Sequence, residues 1–171
     1  MYYLKEMIGE EKVNEALRNL LKDYAYKNPP YPTSIAAVNE FKKVTSPDMQ
    51  YLIKDMFETI TVFSNRALKT TYKKSGNGYE VTLTTTSEKF RSDGLGRETA
   101  IPIDDYIDVA VFAEPENDYT AGKVLAYKRV KVSKKDNSYT FTTEEKPYHA
   151  GIDPYNYLID RIPDDNLKPV D

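Results

Sequence analysis

The side chains that most often carry enzyme chemistry are scarce in this sequence. His149 is the single histidine, and there is no cysteine. A protein zinc site needs three or four closely placed imidazole, thiolate or carboxylate ligands, and no H-E-x-x-H pair is present. A catalytic triad would have to use His149, yet neither Ser133 nor Ser138 lies in a G-x-S-x-G pattern. We therefore expect no catalytic residue, no metal ligand and no cofactor site in this chain, and a structural role for His149.

Acidic residues provide two weaker candidates. Asp104 and Asp105 are adjacent, as are Asp164 and Asp165, but neighbouring side chains of a strand point to opposite faces and form no carboxylate dyad. We interpret the two pairs as a solvated strand start and a solvated tail. A calcium site near the end of the sequence is the alternative, although the spacing is not that of an EF-hand loop. Its candidate ligands are Asp153, Asp160, Asp164, Asp165 and Asn166.

Two glycine pairs raise the possibility of phosphate binding. Gly76 and Gly78 form one pair, and Gly94 and Gly96 form the other. Neither pair has the strand, loop and helix context of a nucleotide-binding motif. We predict a hairpin turn for the first and a mobile hairpin tip for the second. Anion binding by residues 91–97 (RSDGLGR) is the alternative for the second pair.

Composition and charge exclude several classes of protein. The 171 residues carry a net charge of -3 with both signs mixed along the chain, so nucleic acid is not an expected partner. No apolar run approaches the roughly 20 residues that a membrane helix needs, and residues 1–8 do not resemble a signal peptide. We expect a fragment that is soluble by itself. Most of its 15 tyrosines should be packing residues, because the ring is apolar and only its tip is polar.

The first third of the chain has the apolar period of helices. Gly9 separates a short opening helix from a longer one with i, i+3, i+4, i+7 spacing. Two prolines end this helix, Thr33 or Ser34 caps the next, and Ser46 precedes a proline that begins the last. The predicted face of the long helix is Val13, Ala16, Leu17, Leu20, Leu21 and Tyr24. The predicted inward positions of the later helices are Ile35, Val38, Phe41, Met49, Leu52, Ile53, Met56 and Phe57.

From about Ala67 the apolar period changes from 3.6 to 2, which predicts strands. The predicted strands cover residues 79–85, 107–111, 124–132 and 138–143, with hairpin signals at residues 76–78 and 135–137. We predict an α+β fold. Residues 1–65 would form a segment of about three helices, and residues 66–171 an antiparallel β-sandwich of immunoglobulin or fibronectin type. Residues 162–171 would be a polar, frayed tail.

Four segments resemble one protein family. Residues 1–18 (MYYLKEMIGEEKVNEALR) resemble the helices that follow the active site of gluzincin zinc aminopeptidases, the membrane alanyl aminopeptidase family. Residues 30–34 (PYPTS) are similar to the link to the family's next helix. Residues 50–60 (QYLIKDMFETI) and 150–161 (AGIDPYNYLIDR) resemble a bacterial branch whose peptidase is fused behind the permease part of an ABC-type transporter. The order of these segments along one chain is more specific than any one of them.

The resemblance implies that this chain is a non-catalytic C-terminal part of such an enzyme, either an excised piece or a gene fragment. Family members hold zinc through an H-E-x-x-H helix and a downstream Glu, and these residues would precede Met1. Tyr2 and Tyr3 lack the family's surrounding motif, so no catalytic residue is carried over. The zinc and the aminopeptidase activity would belong to the parent, which would lie in the bacterial cell membrane through its permease part. The expected partner is the upstream catalytic domain of the same polypeptide.

Two functions from different classes remain open. In the first, the chain is accessory to the catalytic domain, and the apolar face of residues 1–8 is left exposed as a lost interface. In the second, the chain is a self-standing binding module that holds a peptide or a glycan on exposed tyrosine rings. An exposed ring cluster would favour the second function, and rings buried between sheet and helices the first. The candidate rings are Tyr26, Tyr31, Tyr119, Tyr127, Tyr148, Tyr155 and Tyr157.

Overall fold

The computed structural model describes residues 1–115 and 122–171. The chain divides into two compact units, Met1–Thr61 and Val62–Asp171, which we name the helical unit and the β unit. The α+β class is as predicted. The first strand begins at Ile60, before the predicted join at residues 65 and 66, because burial already alternates there: Thr61, Phe63 and Asn65 are buried.

The helical unit contains four α-helices where the sequence predicted about three. They are α1 (Tyr2–Ile8), α2 (Glu10–Tyr24), α3 (Ser34–Val44) and α4 (Gln50–Ile53). A 3-10 turn, Pro47–Met49, precedes α4, and a π-helical turn, Lys54–Glu58, follows it. Gly9 ends α1 with a φ of 94°, a conformation that glycine adopts without steric cost. None of the described helices combines the length and the apolar character needed to cross a membrane.

The apolar face of α1 is buried inside the helical unit. Leu4 is 0% exposed and packs with Phe41 and Ile53, and Ile8 contacts the same cluster. The expectation of an exposed apolar face on residues 1–8 is therefore wrong. The neighbouring helices of this unit cover the face that was expected to contact another domain.

The predicted apolar face of α2 is covered over only part of its length. Val13 and Ala16 are buried, but Leu21 is 63% exposed. On α3, Ile35 is 67% exposed rather than inward, whereas Phe41 is buried as predicted. A core of five buried residues cannot cover a 15-residue helix from end to end.

The β unit consists of two antiparallel sheets in a sandwich-like arrangement. The strands are β1 (Ile60–Ser75), β2 (Gly78–Ser92), β3 (Glu98–Ile101), β4 (Asp105–Phe112), β5 (Val124–Val132), β6 (Asp136–Thr143), β7 (His149–Ile152) and β8 (Leu167–Pro169). In sheet A, β1 pairs with β2, while β6 and β3 pair with successive stretches of β2. Sheet B has the order β5-β4-β7-β8. The immunoglobulin or fibronectin type stays a prediction.

The two hairpin signals have different outcomes. Gly76 and Asn77 join β1 to β2 as predicted, and a Cβ on Gly78 would lie 2.4 Å from the Thr143 carbonyl oxygen. The hairpin predicted at residues 135–137 is wrong. There β5 pairs with β4 in sheet B and β6 pairs with β2 in sheet A, so the short connection passes from one sheet to the other.

The interior of the β unit is apolar at one end and charged at the other. Along β2 the inward side chains run from Val81 and Leu83 to Lys89. Lys89 donates to Asp105 of β4 over 2.7 Å, and the two side chains are only 7% and 2% exposed. The Lys89 ammonium also lies 5.4 Å from the centre of the Phe63 ring. This ion pair joins sheet A to sheet B.

The C-terminal segment is ordered and covers the outer edge of β1. The Phe63 amide donates to the Ile159 carbonyl oxygen (2.8 Å), and the Tyr72 amide donates to the Asp171 carbonyl oxygen (3.0 Å). The same segment contains a 3-10 turn, Pro163–Asp165, and β8, which pairs with β7 of sheet B. The predicted frayed tail is therefore wrong, because these backbone groups bond to both sheets.

Candidate binding surface

The residues considered for nucleophilic catalysis lie on separate strands. His149 is in β7 of sheet B, opposite Phe112, and its ring meets the Tyr148 ring edge-on with centres 4.5 Å apart. Burial lowers the pKa of His149, which keeps the imidazole neutral at neutral pH. Ser138 is in β6 of sheet A, opposite Thr84. His149 thus packs against Tyr148, and Ser138 lies in the other sheet.

The adjacent carboxylates at the start of β4 have different partners. Asp105 points inward to Lys89, whereas Asp104 is exposed and lies 3.2 Å from Lys131. The pair thus follows the alternation of a strand. Each carboxylate pairs with a different lysine.

Two of the candidate calcium ligands, Asp153 and Asp160, accept hydrogen bonds from backbone amides. The Asp153 carboxylate accepts hydrogen bonds from the amides of Tyr157 and Leu158. The Asp160 carboxylate accepts from the amides of Asn65 and Ile162. Within residues 1–115 and 122–171, no three His, Cys, Asp or Glu side chains converge on a point that could hold a metal ion. The remaining candidates are Asp164, which is exposed, Asp165, which pairs with Arg66, and Asn166, whose carbonyl oxygen accepts from Ile152.

The second glycine pair lies in a turn that a carboxylate already holds. Asp93 Oδ1 accepts hydrogen bonds from the amides of Leu95 (2.8 Å) and Arg97 (2.9 Å). The Gly96 amide donates to the Asp93 carbonyl oxygen. These amides are the groups that an anion would use, and here the carboxylate and the carbonyl oxygen of Asp93 occupy them.

Three of the candidate tyrosines come together on the outer face of sheet B. The Tyr155 ring lies 6.2 Å from Tyr127 and 5.8 Å from Tyr157, with tilts of 38° and 48°. It also meets Phe112 edge-on at 6.4 Å. Phe112 is buried, whereas Tyr127 and Tyr155 are each 44% exposed. We name the rings of Tyr127, Tyr155 and Tyr157 over Phe112 the tyrosine surface.

The other candidate rings do not join this cluster. Tyr26 and Tyr31 belong to the helical unit, between α2 and α3, and are strongly exposed. Tyr148 contacts His149. Tyr119 lies outside the described residues.

A partly buried ion pair lies next to the tyrosine surface, with Asp108 3% exposed and Arg129 30% exposed. Asp108 of β4 accepts two hydrogen bonds from Arg129 of β5, from Nε at 2.7 Å and from Nη2 at 2.9 Å. Burial, followed by a hydrogen bond to Asp108, raises the pKa of Tyr127. Its hydroxyl therefore stays protonated and can donate. A bidentate guanidinium–carboxylate pair has fixed geometry. It therefore holds Asp108, the hydrogen-bond partner of the Tyr127 hydroxyl, in place.

A tight loop, residues 153–158, carries the other two rings of the surface. Asp153 has a φ of 44°, a left-handed conformation that Asp tolerates better than most residues. Its amide donates to the Asp108 carbonyl oxygen (2.7 Å), and its carbonyl oxygen accepts from Asn156 (3.0 Å). Tyr155 and Tyr157 are thereby presented next to Tyr127.

The amino-acid sequence contains only partial signals for this surface. The sequence predicts the candidate tyrosines but does not single out Asp108, Arg129 or Phe112. Asp108 interrupts the apolar run of β4, and a charge within a nearly continuous apolar strand is a signal of a buried partner. That partner, Arg129, is 21 residues away and becomes visible only through the pairing of β4 with β5.

No protein-family model matches this chain, and no curated protein is significantly similar to it.

Proposed function

We propose that this chain is a non-catalytic binding module whose tyrosine surface holds a peptide or a glycan. The observation that carries the proposal is the exposed ring cluster, in which Tyr127 and Tyr155 are each 44% exposed while the Phe112 ring beneath them is buried. Tyrosines offer large apolar faces with hydroxyl groups at the rim, and they lose little conformational freedom on binding. A ligand with small apolar faces bordered by hydrogen-bonding groups fits such a surface.

The ring geometry also limits the shape of the ligand. Neighbouring rings are tilted by 38° and 48°, so their faces point in different directions. Successive sugar rings, or successive side chains of an extended peptide, can each meet one face. A flat aromatic ligand would meet only one of them.

The test is a nuclear magnetic resonance titration of the whole chain with probes of both classes. The probes are cellotetraose, maltotetraose and an unstructured proline-rich decapeptide. Shift changes should be confined to β5 and residues 153–158. Tyr155→Ala should weaken binding at least about tenfold, since central aromatic contacts dominate such interfaces. The matched control is Tyr31→Ala, which removes a ring that is 71% exposed in the helical unit. Shift changes elsewhere, or equal losses in the two variants, would contradict the proposal.

We also propose that the module serves as an accessory region of a larger zinc aminopeptidase-like protein. The support is the resemblance of residues 1–18, 30–34, 50–60 and 150–161. The zinc, the catalytic domain and a permease part in the bacterial cell membrane would belong to that protein. The chain itself has one histidine and no cysteine, which is too few for the family's ligand set.

Two measurements test the accessory role. The coding sequence upstream of Met1 should encode an H-E-x-x-H helix in the same reading frame. The purified chain, supplied with zinc and an aminoacyl anilide, should show no turnover. Turnover that persists in a His149→Ala variant would refute the ligand argument, and an upstream frame without the motif would refute the parentage.

A further inference from the structure

We propose that the ligand of the tyrosine surface is an extended, acidic peptide that adds to sheet B along the outer side of β5. The inference rests on the proposed function, because it names the ligand class of the same surface. It favours a peptide over a glycan, since only a polypeptide backbone can continue a β-sheet.

β5 lies at the edge of sheet B. The sheet has the order β5-β4-β7-β8, and β5 pairs with β4 from Asp105↔Val132 to Phe112↔Val124. No strand within residues 1–115 and 122–171 pairs with its other side. Backbone groups that point away from the partner strand at a sheet edge form a template for another chain. The nine residues of β5 are long enough to hold an added strand.

The other strand edges fit an added peptide less well. The outer edge of β1 is covered by the C-terminal segment. β8 has three residues and ends in Pro169, and proline has no amide hydrogen. β6 has eight residues and pairs with β2 alone among the described strands, but it contains no Lys or Arg. β5 therefore combines an edge of sufficient length with positive charge.

The charge of β5 favours an acidic peptide. Residues 122–135 (GKVLAYKRVKVSKK) contain Lys and Arg but no Asp or Glu. Lys128 is exposed, and no described carboxylate pairs with it. Lys131 pairs with Asp104 over 3.2 Å, but the Asp104 side chain is 69% exposed, and exposed pairs contribute little to stability. A carboxylate of a bound peptide can therefore pair with Lys128 or Lys131.

The same charge disfavours other strands as occupants. Lysine on a sheet edge hinders edge-to-edge association, so β5 of a second copy is not the expected occupant. A neutral strand would bond to the backbone of β5 but would gain no ion pair. The basic residues of β5 thus select for acidic side chains.

The outer face that carries the tyrosine surface continues onto the added strand. Tyr127, Arg129 and Lys131 share this face, opposite Ala110, Asp108 and Tyr106 of β4, because alternate side chains of a strand point the same way. Side chains of an added strand would lie directly beside them. The expected ligand therefore places apolar side chains next to Tyr127 and acidic side chains further along the same face.

The probe is the blocked peptide TVTLTETET, whose even positions place apolar and acidic side chains on one face. The whole chain is titrated with it by nuclear magnetic resonance and by calorimetry. The glutamine peptide TVTLTQTQT should bind at least about tenfold more weakly. Lys128→Glu should weaken binding of the acidic peptide by a similar factor. The matched control is Lys12→Glu, which makes the same charge change at an exposed position of α2 and should leave the affinity unchanged.

Two backbone readouts distinguish edge addition from contact with the rings alone. Binding of TVTLTETET should slow hydrogen exchange at every second amide of β5, namely those that point away from β4. Two further peptides carry N-methyl groups at the even or at the odd positions. One of them should lose binding, because its methylated amides face β5, and the other should retain it.

The inference is overturned if TVTLTETET does not bind, if the glutamine peptide binds equally well, if β5 gains no alternating protection, or if both N-methylated peptides keep their affinity. Binding of cellotetraose to the tyrosine surface in any of these cases leaves the proposed function standing. Conversely, edge binding that Tyr155→Ala does not weaken contradicts the tyrosine surface as the site and leaves strand addition at β5 in place.

Discussion

Replacing Lys89 or Asp105 removes one half of the ion pair inside the β unit, and we expect either change to cost much of that unit's stability. The side chains are 7% and 2% exposed and their charged atoms are 2.7 Å apart, so solvent does not screen the charge left behind. Losing one partner of a buried pair costs about 3–5 kcal/mol, compared with a total stability of roughly 5–15 kcal/mol for a domain. Lys89→Met leaves a buried carboxylate that still accepts from the Asp104 amide at 3.1 Å.

The assay is urea unfolding followed by tyrosine fluorescence in the wild type, the two single variants and the double variant Lys89→Met/Asp105→Asn. The double variant should cost less than the sum of the singles, since it leaves no unpaired charge. The matched control is Lys73→Met, which breaks a pair with Glu80 at the same 2.7 Å but with 71% and 35% exposure. It should cost less than about 1 kcal/mol. The reasoning is refuted if Lys89→Met costs no more than Lys73→Met, or if the losses of the singles simply add.

Three further predictions concern other parts of the chain. The raised pKa of Asp153 contributes stability that is complete below pH 3.8 and is lost as pH rises through about 7, a loss of about 4 kcal/mol. Asp153→Asn should remove this dependence in urea unfolding between pH 4 and pH 8, and parallel profiles would contradict it. Gly151→Ala places a Cβ 2.0 Å from the Asn166 carbonyl oxygen and should cost about 1–3 kcal/mol, whereas Gly94→Ala, with no atom within 4 Å, should cost little by thermal unfolding. Leu4→Ala should cost the helical unit about 2–5 kcal/mol, measured by the helical circular dichroism signal, and a loss below 1 kcal/mol would show that Leu4 is not a core residue.

The elements predicted from the sequence are those whose pattern is local. The alternation of residues 79–85 reports burial on one face, whereas residues 107–111 are buried on both faces. Gly9 marks the end of one helix and the start of the next. The strands that were missed, such as β7 and β8, are only four and three residues long. They contain no full period from which a strand can be recognised. β7 pairs with β4 and β8 pairs with β7, and the local sequence does not encode these partners.

Local composition does not determine which distant segments pair. Residues 162–171 are polar, which predicts a frayed tail, yet their backbone groups pair with both sheets. Residues 135–137 have turn composition, but composition does not indicate which sheet the next strand joins. The sequence predicts which tyrosine rings are candidates for a binding surface, but it does not predict where these rings lie on the fold. Only the approach of residues 153–158 to β4 selects three of the seven candidate rings.

The C-terminal segment that covers the edge of β1 affects how the β unit folds during synthesis. The Thr70 hydroxyl donates to the Pro169 carbonyl oxygen, 99 residues further along the chain. After β1 has been synthesised, the ribosome must add about a hundred further residues before that contact can form. Contacts so distant in sequence slow folding. During this interval the edge of sheet A can pair with another nascent chain. Cells that synthesise this protein rapidly should therefore lose more of it to aggregates than cells that synthesise it slowly.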